Sequence, residues 1–172
     1  LTAPWGLAIS PRRITVSTVG LVPQMRELLE RTQVNLAVSL SATTEESRRE
    51  LMPVTRKYSL AELMDACREL PVPRRRRITF EYVMLAGVND ADDDARRLVK
   101  LLHGIRSKVN LICFNAFAGA GFDGSVAERR ERFQRLLLDH GVNATIRDSR
   151  GPDIAAACGQ LAAQTEKRSA VR

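Results

Sequence analysis

A chain of 172 residues that is 44% hydrophobic is long enough to bury one domain-sized core, and it contains no run of about 18 apolar residues that would make a membrane span. Its 27 Lys+Arg against 20 Asp+Glu give a net charge of +7, an excess that suits a polyanionic partner such as RNA but by charge alone weighs about as much for a merely basic soluble protein. Aromatic residues make up only 5%, too few for a base-stacking sheet of the RRM kind.

The opening LTAPWGLAIS lacks the basic and apolar segments of a signal peptide. It begins without Met and outside any evident element, as expected of a portion of a longer polypeptide. The first strand is expected at ITVST (14–18), followed by a helix over PQMRELLERT (23–32) with Pro23 at its first position. A second strand, NLAVSL (35–40), leads into the helix TTEESRRELM (43–52). SLAELMDACREL (59–70) reads as a helix opened by a capping box of Ser59 and Glu62. Its stripe of Leu60, Leu63, Met64, Cys67 and Leu70 places Cys67 in the core. After the strand ITFEYVML (78–85) comes DADDDARRLVKLLHGI (90–105), with acids where the helix dipole favours them. The strand VNLICFN (109–115) precedes SVAERRERFQRLLLDHG (125–141), where Ser125 and Glu128 suggest a second box and Gly141 a stop. NATIRDS (143–149) is the last strand expected. Regular alternation without hairpin turns predicts an α/β fold of parallel strands joined by helical crossovers, as a barrel-like or open sheet.

The strands are two-faced. In NLAVSLS, Leu36, Val38 and Leu40 share one face and Ala37, Ser39 and Ser41 the other. A small, polar face that recurs from strand to strand points to a ligand cavity, the alternative being hydroxyls that satisfy backbone groups at strand ends. The polar residues Ser17, Ser39, Ser41 and Asn115 fall late in their strands, where parallel barrels build their sites. No GxGxxG, GxxxxGK[ST] or HExxH motif occurs, and His103 and His140 are far apart, so no metal site is expected from this chain. Three widely spaced cysteines, Cys67, Cys113 and Cys158, offer no disulfide framework and fit a reducing, cytoplasmic setting. Cys158 stands in GPDIAAACGQLA. A lone cysteine is usually a buried small hydrophobe, but neighbours this small let a large group approach the sulfur. Basic residues cluster at Arg12 and Arg13, at Arg74 to Arg77 and in the tail KRSAVR.

Five blocks in order, RRITVSTVGLVP, NLAVSLSATTEESRRELMPVTRKY, RRRITFEYVMLAGVND, KVNLICFNAFAG and RGPDIAAACGQLA, resemble the adenine-C2 RNA methyltransferase family of radical S-adenosylmethionine enzymes. The resemblance covers almost the whole chain. It implies that residues 1–172 are the later β/α units of a partial (β/α) radical SAM barrel, the C-terminal part of the catalytic domain. The implied activity is methylation of adenine carbon-2 in 23S rRNA and tRNA. Ser17, the Ser39-Leu40-Ser41 strand end and Asn115 match positions that contact S-adenosylmethionine, and Cys158 matches the cysteine that carries the methyl group. Many members have His where Ser41 stands, and prolines where Cys113 and Ala116 stand.

The resemblance also implies a 4Fe-4S cluster with its reductant. The family's CxxxCxxC motif, its Gly-Glu-Pro strand and a second cysteine of the mechanism have no counterpart here and are expected upstream of Leu1, so the chain alone is expected to be inactive. In the implied reaction the Cys158 thiolate, favoured by Arg147 and Arg150, first takes a methyl by displacement. A 5′-deoxyadenosyl radical then activates that methyl for addition to the electron-poor carbon-2. Two other readings stand beside this one: a carbon-8 methylating relative, and a non-catalytic RNA-binding α/β module. Only the enzymes would depend on Cys158.

Overall fold

The computed structural model describes residues 1–3, 5–116 and 121–147. The strands are β1 (Thr15–Thr18), β2 (Asn35–Ser39), β3 (Ile78–Met84), β4 (Ser107–Cys113) and β5 (Ala144–Arg147). Between them lie α1 (Val22–Arg31), α2 (Glu45–Leu51), α3 (Leu60–Glu69), α4 (Asp92–Leu102) and α5 (Ala127–Asp139). All five strands are parallel and lie in chain order, β1-β2-β3-β4-β5. Crossovers between parallel strands are right-handed, so a sheet that always steps the same way collects its helices on one face.

Burial follows that rule. Leu36, Val38 and Leu40 of the β2 run, Phe80, Tyr82 and Met84 of β3, and Leu111 of β4 form one core with Met25, Leu63, Leu98, Phe133 and Leu137 from the helices. Each such side chain contributes roughly 1.5–3 kcal/mol by leaving water. The Tyr82 and Phe133 rings stack at 5.5 Å. On the other face Ser17, Lys108 and Thr145 are exposed, and Ser39, Glu81 and Asn110 are half-buried. In register, Ser39 lies opposite Glu81, Glu81 opposite Asn110 and Asn110 opposite Thr145. The polar face expected from the sequence is therefore present as an open surface.

The capping box of α3 forms: Glu62 N–H donates to Ser59 Oγ at 3.2 Å and Ser59 N–H to Glu62 Oε2 at 2.8 Å. The box expected at α5 does not. Val126 holds the N-cap position without a side-chain bond, while the buried Ser125 hydroxyl donates to Asp90 Oδ2 at 2.6 Å. Pro23 occupies the second position of α1, not the first, because Val22 opens the helix; the missing N–H is harmless anywhere in the first turn. The fourth strand starts and ends two residues earlier than expected, because Ser107 and Lys108 pair with Ile78 and Thr79. Asn115 thus lies beyond the strand. Gly141 follows α5 at φ +76°, as its stop requires.

Candidate functional site

Strand β2 ends in a strap that the rest of the fold holds in place. Leu40 is fully buried, and its N–H donates to Glu81 O at 2.9 Å, extending the ladder to β3. Ala42 N–H then donates to Leu40 O at 2.7 Å, and Ser41 between them takes φ +48°. That left-handed conformation costs an L-residue about 1–2 kcal/mol, so something must stabilise it. The buried Asn89 does: its Nδ2 donates to both Ser41 O and Val83 O at 2.8 Å, and its Oδ1 accepts from Leu85 N–H at 2.8 Å. Asn89 is held in turn by Tyr82, whose hydroxyl donates to its carbonyl at 2.8 Å. Val83 N–H donates to Ser41 Oγ at 3.4 Å.

The next residue outward is tied as well. Thr43 Oγ1 donates to Asp94 Oδ1 at 2.7 Å, and Arg97 donates to both, at 3.1 Å and 2.7 Å. On the other side of the strap stands Arg48, 1% exposed. Its Nη1 donates to Thr55 Oγ1 at 2.8 Å, and its Nη2 to Val19 O at 2.8 Å and Ser39 O at 3.5 Å. One guanidinium thereby joins the exits of β1 and β2. Desolvation pushes the Arg48 pKa down, and Glu45 opposes the shift. The fit leaves no room at Gly20, φ +104°, where a Cβ would lie 3.1 Å from Arg48 Nη2 and 3.2 Å from Leu63.

Ser17, Ser39 and Ser41 therefore share the open face at the C-terminal ends of neighbouring strands. Leu40 is different: its side chain belongs to the core and its N–H and carbonyl are both engaged. Asn115 is half-buried two residues past β4, at the same end of the sheet but two strands from β2, about 10 Å at ordinary strand spacing. The hydroxyls of Ser17 and Ser39 have no hydrogen-bond partner among the described residues. Free hydroxyls on a rigid strand end, with an amide nearby, suit a polar ligand that both donates and accepts, such as a ribose or an amino-acid head group.

Both cysteines among the described residues are buried, Cys67 as its helical stripe predicts. Cys67 and Cys113 are 3% and 7% exposed, and burial pushes the Cys67 thiol up to about 12. Cys158 and Arg150 lie outside the described residues; Arg147 ends β5 and is exposed. No group of three or more His, Cys, Asp or Glu able to hold a metal ion occurs among the described residues. The sequence reading missed Asn89 and Arg48. Asn89 sits in a turn-like VND and Arg48 in the polar helix EESRREL, so both read as solvated.

No protein-family model matches the chain. It is 58% identical over 161 residues to the dual-specificity RNA methyltransferase RlmN of Syntrophotalea carbinolica, covering 94% of this chain and 43% of the relative. The protein of the same name from Methylorubrum extorquens is 55% identical over 163 residues, 94% of this chain and 38% of the relative. The chain spans less than half the length of these curated relatives. The crystal structure of a radical SAM methyltransferase from Sphaerobacter thermophilus superposes with a TM-score of 0.87 at 47% identity, over 92% of this chain and 47% of that one. A domain of pyruvate-formate lyase-activating enzyme from Bacteroides vulgatus, 17% identical with a TM-score of 0.62 over 77% of this chain and 80% of that one, shares the fold.

Proposed function

We infer that this chain, which by its sequence belongs with the RlmN dual-specificity RNA methyltransferases, is the C-terminal part of a radical SAM enzyme that methylates adenine carbon-2 in 23S rRNA and tRNA. The observation that carries the reading is identity of 53–58% to proteins of that name along 91–97% of the chain. The strand-end geometry supports it: the Ser17 and Ser39 hydroxyls have no partner among the described residues, and the strap that follows Ser39 is held from behind by Asn89 and Arg48.

Those residues fit S-adenosylmethionine. Ser17, Ser39 and Asn115 would hold its polar groups, and the Ser41 turn with the backbone around Leu40 would shape the adjoining strap. When bound, S-adenosylmethionine supplies a methyl on a sulfonium, an electrophile that electron-poor carbon-2 cannot attack directly. Cys158 would serve as the nucleophile toward that methyl in place of carbon-2, its thiolate being the reactive form.

The described residues do not fit a 4Fe-4S cluster, since their cysteines are two buried core residues. Cluster, reductant and the second cysteine belong to the rest of the protein. No helix among the described residues is long and apolar enough to cross a membrane, and a reducing cytoplasm suits both the thiol and the RNA.

The test is mass spectrometry of the full-length enzyme purified from cells. An added methyl is expected on the peptide containing Cys158 and on neither Cys67 nor Cys113. Cys158→Ala should abolish RNA methylation while S-adenosylmethionine binding persists. Continued methylation of carbon-2 by that variant would sink the reading; a product methylated at carbon-8 would replace it with the related activity.

A further inference from the structure

The chain's positive charge is unevenly neutralised. On the helices most arginines have acidic partners, among them Arg49 with Glu45, Arg68 with Asp65, Arg96 with Asp93, and Arg132 with Asp92, whereas Arg48 is buried on oxygens of Thr55, Val19 and Ser39 and the exposed Arg135 has no ion pair among the described residues. At the end of the sheet away from Ser39 and Ser41 the pattern changes. Arg12 and Arg13 lead into β1, and Arg74, Arg75 and Arg77 lead into β3; all five are exposed and have no acidic partner among the described residues. Arg76 and Arg106 donate only to backbone carbonyls, of Gln33 and Val72, so they satisfy chain ends without losing their charge. The exposed Glu30 shares a groove with Pro71 and Pro73 at this end and does not neutralise them.

Hydrogen bonds link these strand starts side by side in a stripe, the Arg76 bond to Gln33 O joining those of β2 and β3. Asn35 Nδ2 donates to Arg12 O at 2.8 Å, joining the starts of β1 and β2, and Ile78 N–H donates to Arg106 O at 3.0 Å, joining those of β3 and β4. At ordinary strand spacing the stripe spans about 15 Å, and the length of β3 sets it about 20 Å from the Ser41 end. Exposed guanidiniums free of carboxylates present forks that match phosphate oxygens. The PRRRR run has no aromatic residue to stack on a base, so the stripe suits a backbone and not a sequence.

We propose that this arginine edge is a second RNA contact, remote from the reacting base, which holds a row of phosphodiesters by charge alone. That the polyanion is RNA rests on the function inferred above. The edge extends the enzyme's grip to nucleotides it does not modify.

The test is fluorescence anisotropy of a labelled, mixed-sequence single-stranded RNA with the full 172-residue chain, titrated over a series of salt concentrations. The triple variant Arg74→Ala/Arg75→Ala/Arg77→Ala should reduce the slope of log affinity against log salt by about 2, from roughly 0.7 per phosphate contact, and weaken binding more than tenfold at low salt. A control triple, Arg49→Ala/Arg68→Ala/Arg96→Ala, removes the same charge from paired helix positions and should lose less than half as much. Arg12→Ala/Arg13→Ala, at the far end of the stripe, gives an independent measure should the first variant fold poorly. Equal losses in edge and control variants, or an unchanged slope in the edge variants, would overturn the proposal. So would edge variants that lose binding to phosphatidylserine vesicles but keep their RNA slope. A Cys158 never found methylated would remove the methyl carrier and leave this edge standing, whereas an unchanged slope would do the reverse.

Discussion

Asn89 carries more of the candidate site than any residue that faces it. Both its amide hydrogens and its carbonyl oxygen are spent on backbone groups of Ser41, Val83 and Leu85, and it is 1% exposed. Removing it takes the partner from one buried and two half-buried backbone groups, each worth up to about 1–3 kcal/mol, and frees Ser41 to leave its left-handed conformation. Asn89→Ala is therefore expected to lower stability by about 2–4 kcal/mol, allowing for relaxation and water entry. Urea denaturation would measure it; a loss below about 0.5 kcal/mol would show that the strap holds itself. Arg48 has the opposite economy. Its charge is buried with Nε lacking a partner among the described residues, a cost that the joining of two strand exits must offset.

At the scale of the element, two helix starts that look alike in sequence behave differently. Ser59→Ala removes a true N-cap from α3 and should cost about 1 kcal/mol. Glu128→Ala at the start of α5 should change stability little, since no box exists there. Thermal melts of the two variants check the contrast. The Ser59 hydroxyl and backbone N–H hold the Glu62 carboxyl below its usual range. Its stabilising effect is then full above the ordinary value of 4.5 and is lost as pH falls through the lowered one. Ser59→Ala should flatten that acid limb.

The same contrast shows what a sequence reveals. The strand runs were legible because β-branched and aliphatic residues alternate with polar ones in a period of two, and α3 because its apolar stripe and cap agree. The ends of β4 were not, because they depend on which residues of β3 lie opposite. Ser125 was misread because its partner, Asp90, is remote in sequence. Parity put Ser17 and Ser39 on the polar face of their strands, whereas Ser41 and Asn115, expected late in theirs, lie two residues past the ends of β2 and β4. The positive φ of Ser41 and the side chains behind it are tertiary facts, and no local pattern announces them.

For the whole molecule the decisive feature is a sheet that, among the described residues, carries its helices on one face. Interior strands β2, β3 and β4 have neighbours on both sides, whereas β1 and β5 are edges among the described residues. Amide hydrogen exchange should find Phe80, Tyr82 and Leu111 among the slowest positions and Thr15–Thr18 among the fastest strand residues. Uniform protection across the sheet would contradict this.

Chain-order pairing also has a consequence for how such a molecule is assembled. No strand waits for a partner made much later: β1 meets β2, β2 meets β3, and each addition finds its template already in place. The widest gap is the one spanned by Ala37 and Thr79, and α2 and α3 fill it with local structure. Relative contact order is thereby kept moderate for a parallel sheet, where distant pairings usually slow folding. As the ribosome extends the polypeptide, the arc can lengthen one β/α unit at a time, from its N-terminal strand onward.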